Sequence, residues 1–243
     1  MEKVLEVNGL TKLYDNGRGV KNITFEVVKG EIFGFLGPNG AGKTTVMKSI
    51  TGLNTFESGE IKIMGVDIKN QFEDALKGVG AIIETADAYE YMSAYNNLKI
   101  ASRFYTNIEE ADIDNALKIV GLEEYKNDKV SKFSLGMKQR LSLAMALLSK
   151  PSLVILDEPT NGLDIEGTVQ MRNMIIELAK EENMTFFISS HLVHEIELMC
   201  DKVAIIHNGE LINNGVAIKV IKEKYINLED FYMHEVKKGG KNE

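Results

Sequence analysis

Residues 37–44, GPNGAGKT, have the residue types and spacing of a phosphate-binding loop. A strand-like apolar run, EIFGFL, precedes this loop, and a helical pattern, TTVMKSITGL, follows it. Glycines let the backbone curl so that successive N–H groups and the N-terminus of the following helix face a phosphate. The predicted nucleotide-binding residues are Gly37, Pro38, Asn39, Gly40, Ala41, Gly42, Lys43, Thr44 and Thr45.

Two carboxylates, Asp157 and Glu158, end the continuous apolar run SLVILDE. Such a run is typical of a strand buried on both faces of a parallel sheet. In a phosphate-loop protein the loop lysine, Lys43, lies between the β- and γ-phosphates and the hydroxyl of Thr44 binds Mg²⁺. We therefore expect Asp157 to contact this Mg²⁺ through water and Glu158 to orient or deprotonate the attacking water. Paired carboxylates also cap strands without any such role, but the phosphate loop in the same chain favours catalysis.

A further carboxylate, Glu84, closes the short apolar run VGAII. Three roles are open for it: a catalytic acid or base, a metal ligand, or only the polar residue that ends a strand. The end of that strand is the sheet edge at which ligands bind in open α/β folds.

The composition is that of a soluble globular protein with one large domain or a domain with a sub-domain: 243 residues, 44% apolar and 26% charged. A net charge of −8 without clustered Lys or Arg argues against nucleic acid as a partner. The single cysteine, Cys200, fits a buried thiol in a reducing compartment. The start MEKVLEVNGL lacks a signal peptide, and no apolar stretch approaches the ~18 residues that span a bilayer. We expect a cytoplasmic chain that reaches the membrane only through a partner.

Apolar periodicity predicts an α/β protein. Short alternating runs in the first thirty residues predict an antiparallel β portion, and the period becomes helical from about Ser93 to Lys150. The remaining predicted elements are a helix over 165–182, a buried strand over 185–190, a helix over 192–200 and a hairpin that turns at Asn208-Gly209.

The stretch FSLGMKQRLSLAMALL (133–148) separates this chain from other phosphate-loop proteins. Ser134 is placed to cap a helix, and Gly136 leaves room for a phosphate beside it. Alone, the stretch fits a capped amphipathic helix equally well. Together, however, Tyr14, GPNGAGKT, FSLGMKQ, LVILDEP, NGLD and SSH, in this order, resemble the ATP-binding subunits of ABC transporters over nearly the whole chain.

This resemblance implies an α/β phosphate-loop NTPase fold with a RecA-like parallel core, an N-terminal antiparallel β subdomain and an inserted helical subdomain. The ABC ATPase domain is then expected over 1–236, with the helical subdomain at approximately 85–150. The composition of the last residues, KKGGKNE, predicts a frayed tail over 237–243. An integral membrane permease, a separate chain, is expected to dock on the helical subdomain. The Tyr-rich segment 88–95 is a candidate docking surface, although its aromatic rings could equally pack internally.

The resemblance also implies a dimer of two ATP-binding subunits, identical or different, that encloses two ATP molecules. Each ATP is expected to contact the partner's signature segment, which consists here of Ser134, Leu135, Gly136 and Met137. The D-loop that connects the two sites corresponds to Asn161, Gly162, Leu163 and Asp164. His191 matches the switch histidine that contacts the γ-phosphate. Tyr14 matches the aromatic residue that stacks on adenine, with a core or turn tyrosine as the alternative.

Two departures from the family pattern bear on function. The signature is usually LSGGQ, whereas this chain has Phe133, Ser134, Leu135, Gly136 and Met137. Glu84 stands at the position of the Q-loop glutamine, which contacts Mg²⁺ or the attacking water. Glu84 could be a stronger Mg²⁺ ligand or partly protonated, and the residues do not decide between these. At both departures the chain resembles the ATP-binding subunits of exporters for antibiotic efflux and lantibiotic immunity.

The resemblance therefore implies the ATP-hydrolysing motor of an exporter of antibiotic or lantibiotic-like peptides, with ATP and Mg²⁺ as cofactors, peripheral on the inner face of the cell membrane. A soluble ABC-type ATPase of DNA repair, chromosome organisation or translation is the alternative. The chain lacks the long heptad or zinc-binding insertions and the second cassette of those proteins. A phosphate-loop kinase is a third alternative, but it leaves the signature segment unexplained.

Overall fold

The computed structural model describes residues 2–84 and 88–239, and within these ranges the strands form two sheets. The strands are β1 Lys3–Leu13, β2 Gly19–Val28, β3 Ile32–Leu36, β4 Ser58–Ile63, β5 Val66–Asp67, β6 Val79–Ile82, β7 Leu153–Asp157, β8 Thr185–Ser190, β9 Lys202–His207 and β10 Glu210–Ala217. The helices are α1 Lys43–Ile50, α2 Phe72–Leu76, α3 Ala94–Ser102, α4 Glu110–Ile119, α5 Leu135–Leu147, α6 Ile165–Glu181, α7 Val193–Met199, α8 Ile218–Lys224 and α9 Leu228–Gly239. Short 3₁₀ turns lie at Glu123–Tyr125 and Val130–Lys132.

The larger sheet has the strand order β10-β9-β3-β8-β7-β6. Its strands pair in parallel, apart from β10, which runs antiparallel to β9. Strands β3, β7 and β8 are buried at every residue, which explains why their sequences are continuous apolar runs without alternation. Because neighbouring parallel strands end at one edge, this sheet brings the residues that follow β3, β7 and β8 together.

The smaller sheet is antiparallel, with the order β2-β1-β4-β5. Phe25 of β2 packs between the sheets, with its ring centroid 5.5 Å from that of Phe33 and 5.2 Å from that of Phe187. Val46 and Met47 of α1 are buried in the same apolar cluster. The N-terminal sheet therefore covers one face of the parallel sheet and supports the helix that follows the phosphate loop.

Helices α3, α4 and α5 lie between β6 and β7 in the chain. Leu98, Leu117 and Leu141, one from each helix, are buried in a cluster that also contains Leu156 of β7. The helical insertion thus shares a core with the strand that carries the paired carboxylates. No helix in the described ranges is long and apolar enough to cross a membrane.

The predicted hairpin is confirmed. Asn208 and Gly209 have φ of 48° and 82°, as a type I′ turn requires at both central positions. The predicted helix over 165–182 and strand over 185–190 correspond to α6 and β8.

Three helices, α2, α8 and α9, were not predicted from the sequence. Helix α9 extends to Gly239, so residues 237–239, assigned above to a frayed tail, are helical. The apolar side chains of the preceding turns explain this, because Leu228 and Phe231 are buried and anchor α9. Residues 240–243 lie outside the described part of the chain.

Candidate active site

The phosphate loop connects β3 to α1, as predicted, and its backbone requires glycine. Gly42 has φ of 107°, and a Cβ there would lie 2.4 Å from Val20 Cγ1. A Cβ at Gly37 would lie 2.3 Å from the carbonyl oxygen of Ile206. The loop is therefore packed against its neighbours so closely that side chains are excluded at both positions.

Lys43 folds back over this loop and is buried, with 5% of its surface exposed. Its Nζ donates hydrogen bonds to the carbonyl oxygens of Gly37 at 2.8 Å and Pro38 at 3.2 Å. Nζ also lies 3.1 Å from Glu158 Oε1. This contact is an ion pair outside hydrogen-bond geometry, since the buried Oε1 has no hydrogen-bond donor. The loop lysine thus contacts Glu158, the carboxylate that follows β7, a contact that the sequence did not predict.

Asp157, the first carboxylate, is held by two hydroxyl groups. Thr44 Oγ1 donates to Asp157 Oδ2 at 2.7 Å, and Ser189 Oγ donates to Asp157 Oδ1 at 2.5 Å. Ser189 Oγ also accepts a hydrogen bond from the backbone N–H of Glu158 at 3.0 Å. Ser189 was not among the predicted site residues. It pairs with Asp157 in the register of β7 and β8, so only the strand order places it here.

The donors around Asp157 fit Mg²⁺. Thr44 and Asp157 offer oxygen atoms, which Mg²⁺ prefers, and Mg²⁺ usually takes one or two protein groups together with substrate phosphates and water. Within the described ranges, no group of three or more His, Cys, Asp or Glu side chains could hold a metal ion. Thr44 and Asp157 would suit a Mg²⁺ ion that also takes oxygen ligands from a triphosphate and from water.

Glu158 is oriented by His191, which follows β8. Glu158 Oε2 lies 2.8 Å from His191 Nδ1 and accepts the backbone N–H of His191 at 3.3 Å. Glu158 has φ of 51°, in the left-handed region that residues other than glycine rarely adopt. Backbone strain of this kind costs about 1–3 kcal/mol and concentrates at functional sites. The turn after β7 thus aims the Glu158 carboxylate at Lys43 and His191.

Glu84 follows β6 at the same edge of the sheet, as predicted. It lines a cavity of about 440 Å³ that Asp157 and Glu158 also line. Its side chain is 61% exposed, and its Oε1 accepts a hydrogen bond from Lys48 Nζ at 2.7 Å. No sequence pattern indicates Lys48 as its partner. The next three residues, 85–87, lie outside the described residues.

Tyr14 lies at the surface beside α1 and is 42% exposed. Its hydroxyl is 3.5 Å from Thr45 Oγ1 and accepts a hydrogen bond from Asn54 Nδ2 at 3.4 Å. Lys12 Nζ lies 5.4 Å from the centre of the ring. The ring is therefore tethered next to the phosphate loop and is not part of the core.

The signature segment caps α5 as predicted, because Ser134 Oγ accepts the N–H of Met137 at 3.2 Å. Asp164 caps α6 in the same way, because its Oδ1 accepts a hydrogen bond from the N–H of Gly167 at 2.8 Å. Signature and D-loop residues line a common cleft of about 450 Å³, and none of residues 37–45 contributes to its described lining. Leu135 also lines the cavity of Glu84, Asp157 and Glu158, so the start of α5 borders both clefts.

Gln139, one turn further along α5, was also not among the predicted site residues. Its Nε2 donates to the carbonyl oxygen of Asn161 at 3.1 Å. The N–H of Asn161 in turn donates to the carbonyl oxygen of Glu158 at 3.0 Å. The signature helix is thus linked to the turn that carries Glu158.

The larger sheet is mainly parallel, and a glycine loop before α1 surrounds a buried lysine. Paired carboxylates stand at the end of β7. Together these features define a phosphate-loop NTPase. The chain belongs to the ABC transporter family, whose sequence model matches residues 20–161. The chain is accordingly an ATP-binding subunit that hydrolyses ATP in connection with transport, and a role in DNA repair or translation is not favoured.

Relatives and solved structures agree with this assignment. The chain is 45% identical to a bacitracin transport ATP-binding protein of Bacillus licheniformis over 87% of this chain and 69% of the relative. It is 40% identical to a lantibiotic transport ATP-binding protein of Streptococcus pyogenes over 86% of this chain and 89% of the relative. A solved ATP-binding subunit of an ABC transporter superposes with a TM-score of 0.83 at 29% identity, covering 96% of this chain and 99% of that one.

Proposed function

We propose that this chain is the motor of an exporter that carries bacitracin- or lantibiotic-like peptides through a separate integral membrane permease. The proposed cargo class rests on one observation. The chain is 45% and 40% identical to transport ATP-binding proteins named for bacitracin and for a lantibiotic. The departures at Leu135, Met137 and Glu84 support the same class, because the sequence analysis associates them with antibiotic exporters.

In the proposed mechanism, nucleotide binding reorganises the contacts of Lys43. Its ammonium would exchange the carboxylate of Glu158 for the β- and γ-phosphate oxygens, while the N–H groups of the glycine loop bind the phosphates. Tyr14 would stack on the adenine. Thr44 and Asp157, with Glu84 as a further candidate, would hold Mg²⁺, which neutralises charge on the phosphates when bound.

Glu158, released from Lys43, would orient the attacking water or accept its proton. His191 would keep the carboxylate aimed through its 2.8 Å contact with Oε2 and reach the γ-phosphate with its other ring nitrogen. Removing such a positioned base typically lowers a rate about 10²–10⁴-fold.

The second part of each site would come from a partner subunit, identical or different. Ser134, with the backbone N–H groups at the start of α5, offers donors at a helix N-terminus, where phosphate binds well. Leu135, Gly136 and Met137 would present this end of α5 to the partner's ATP, and the D-loop, Asn161, Gly162, Leu163 and Asp164, would lie between the two sites. The cleft that the signature and D-loop residues line together supports this arrangement, because it groups the two segments that would face the partner.

The helical insertion, at approximately 85–150 of a domain spanning 1–236, is the proposed docking site for the permease. Tyr89 and Tyr91 form an edge-to-face pair with ring centroids 5.9 Å apart, and Tyr91 is 66% exposed. Phe104 is also exposed, at 85%. Because contiguous exposed apolar patches mark interaction sites, the Tyr89–Tyr91 pair is the proposed centre of the docking surface. Docking there would hold the chain on the inner face of the cell membrane.

Co-purification tests the proposal. A tagged chain is expected to retain the membrane protein encoded beside it after detergent solubilisation, and Tyr89→Ser/Tyr91→Ser is expected to reduce its recovery. Phe72→Ser, which alters an exposed aromatic residue outside the helical insertion, serves as the matched control. The complex in inverted vesicles is expected to accumulate bacitracin or a lantibiotic when ATP is added. Recovery of no integral membrane protein would contradict the motor function, and a complex that moves neither peptide would contradict the cargo class.

A further inference from the structure

We infer that Lys48 is a positioning residue for Glu84, which it holds and neutralises until Mg²⁺ bound with ATP takes over the carboxylate. The inference rests on the proposed function in one respect, the placement of Glu84 near the metal. It assigns Lys48, a residue outside the phosphate-loop motif, a part in the metal site.

The geometry places Lys48 between the phosphate loop and Glu84. Lys48 follows Thr44 by four residues on α1, so the two side chains lie one turn apart on one face of the helix. Its ammonium reaches across to Glu84 Oε1 at 2.7 Å, and the two residues are separated by 36 positions in the chain. The pair therefore joins the helix of the phosphate loop to the end of β6.

The ion pair between Glu84 and Lys48 is also easily broken. Glu84 has φ of 65° at the start of the segment that follows β6, and it lines the cavity that Asp157 and Glu158 line. The side chains of Lys48 and Glu84 are 28% and 61% exposed, so water screens their attraction. Exposed ion pairs of this kind shift an equilibrium by a factor of only about 1.4 to 5. A divalent cation that prefers carboxylate oxygens can displace a lysine at so small a cost.

Two opposite effects follow from this arrangement. Without metal, Lys48 screens the triphosphate from the negative charge of Glu84, which lines the same cavity as Asp157 and Glu158, so Lys48 favours nucleotide binding. With metal, Lys48 competes for Glu84 and raises the Mg²⁺ concentration that saturates the site. Both effects require the charge of Glu84.

Binding of the non-hydrolysable ATP analogue AMPPNP, measured by calorimetry, separates these effects without any turnover. The proteins are the unaltered chain, Lys48→Met, Glu84→Gln and the double variant, each titrated in EDTA and at increasing Mg²⁺ concentrations. Lys77→Met and Asp74→Asn are the matched controls. They remove the same charges from an exposed pair 2.5 Å apart that lines none of the clefts described above.

In EDTA, Lys48→Met is expected to weaken AMPPNP binding about 1.4- to 5-fold, and the added Glu84→Gln to recover that loss. With Mg²⁺, Lys48→Met is expected to lower the half-saturating Mg²⁺ concentration by a similar factor. In a protein that already carries Glu84→Gln, adding Lys48→Met is expected to leave that concentration unchanged. Equal shifts in both backgrounds would overturn the inference, because Lys48 would then act on the phosphates directly. Absence of any shift would also overturn it. Failure of every variant to bind AMPPNP would instead refute the nucleotide site itself.

Discussion

His191 Nδ1 lies 2.8 Å from Glu158 Oε2, while Lys43 Nζ lies 3.1 Å from the other oxygen of the same carboxylate. The Glu158 carboxylate is therefore held between a residue of the phosphate loop and a residue that follows β8. Since Lys43 is also the predicted ligand of the phosphates, a nucleotide and Glu158 compete for it. The pair formed by His191 and Glu158 is the part of this arrangement that can persist when nucleotide binds.

The contact with His191 predicts a defect in hydrolysis. His191→Ala leaves Glu158 Oε2 with only a backbone N–H, and a hydrogen bond to a charged group contributes about 1.5–3 kcal/mol. We expect ATP hydrolysis by the assembled complex to fall about 10- to 100-fold, with ATP still bound. His191→Gln, which retains a side-chain donor, should recover part of the rate. Equal rates for His191→Ala and the unaltered protein would show that His191 does not orient Glu158.

Ser189 is predicted to stabilise the fold as well as the site. Ser189→Ala removes the hydroxyl that donates to Asp157 and accepts from the N–H of Glu158. Because Asp157 is buried and charged, we expect the free energy of unfolding in urea to fall by about 1.5–3 kcal/mol. Ser142→Ala, which removes a buried hydroxyl bonded only to the carbonyl oxygen of Lys138, is the control and should cost less. A smaller loss for Ser189→Ala than for Ser142→Ala would contradict this account.

Glu31 gives a prediction about pH. Burial raises the pKa of the Glu31 carboxyl, although its Oε1 accepts the N–H of Val28 at 2.7 Å. The folded state therefore favours the neutral acid. The stability that the neutral Glu31 carboxyl provides is fully present below the pKa of Glu31 in the unfolded chain, about 4.3. It is lost as the pH rises through the raised pKa of Glu31 in the folded protein. Glu31→Gln, which keeps the acceptor without the charge, should raise the melting temperature at pH 7.

The pH dependence of this gain is the decisive part of the measurement. Melting temperatures of both proteins between pH 4 and pH 7.5 should converge as the pH falls toward the unfolded pKa. A gain of constant size over the whole range would show that the substitution acts through packing and not through ionisation.

Cys200 is predicted to be chemically inert in the folded protein. It is buried, and burial raises the pKa of its thiol far above the ordinary range. Its Sγ packs so closely on β3 that a Cβ at Gly34 would lie 2.9 Å away. The disulfide reagent DTNB should therefore label Cys200 orders of magnitude more slowly in the native protein than in urea. Rapid labelling without denaturant would contradict this burial.

The sequence was sufficient for those parts of the site that contiguous residues form. Loop 37–44 and the pair Asp157 and Glu158 stand in local patterns of strand, glycine and carboxylate, and the structure has them where those patterns predict. Local periodicity likewise predicted the hairpin at Asn208-Gly209. In these segments the backbone conformation follows from residue type over a few positions.

The partners that the sequence did not reveal are distant in the chain. Ser189 meets Asp157 only because β7 and β8 are neighbours, and Lys48 meets Glu84 only because α1 and the end of β6 lie side by side. Serine and lysine are common surface residues, so neither stands out before the strand order is known. Helix α9 was missed for a different reason: its two buried side chains, Leu228 and Phe231, provide a short apolar pattern beside a charged tail.

The substitution Glu158→Gln shows whether Glu158 activates water, because it keeps the size of the side chain and removes the charge that contacts Lys43 and His191. ATP binding and the rate of phosphate release are to be measured on the same preparation of the assembled complex. We expect retained ATP binding and hydrolysis reduced by about 10²–10⁴-fold. Hydrolysis at a near-normal rate would contradict the assignment of Glu158 as the residue that activates water.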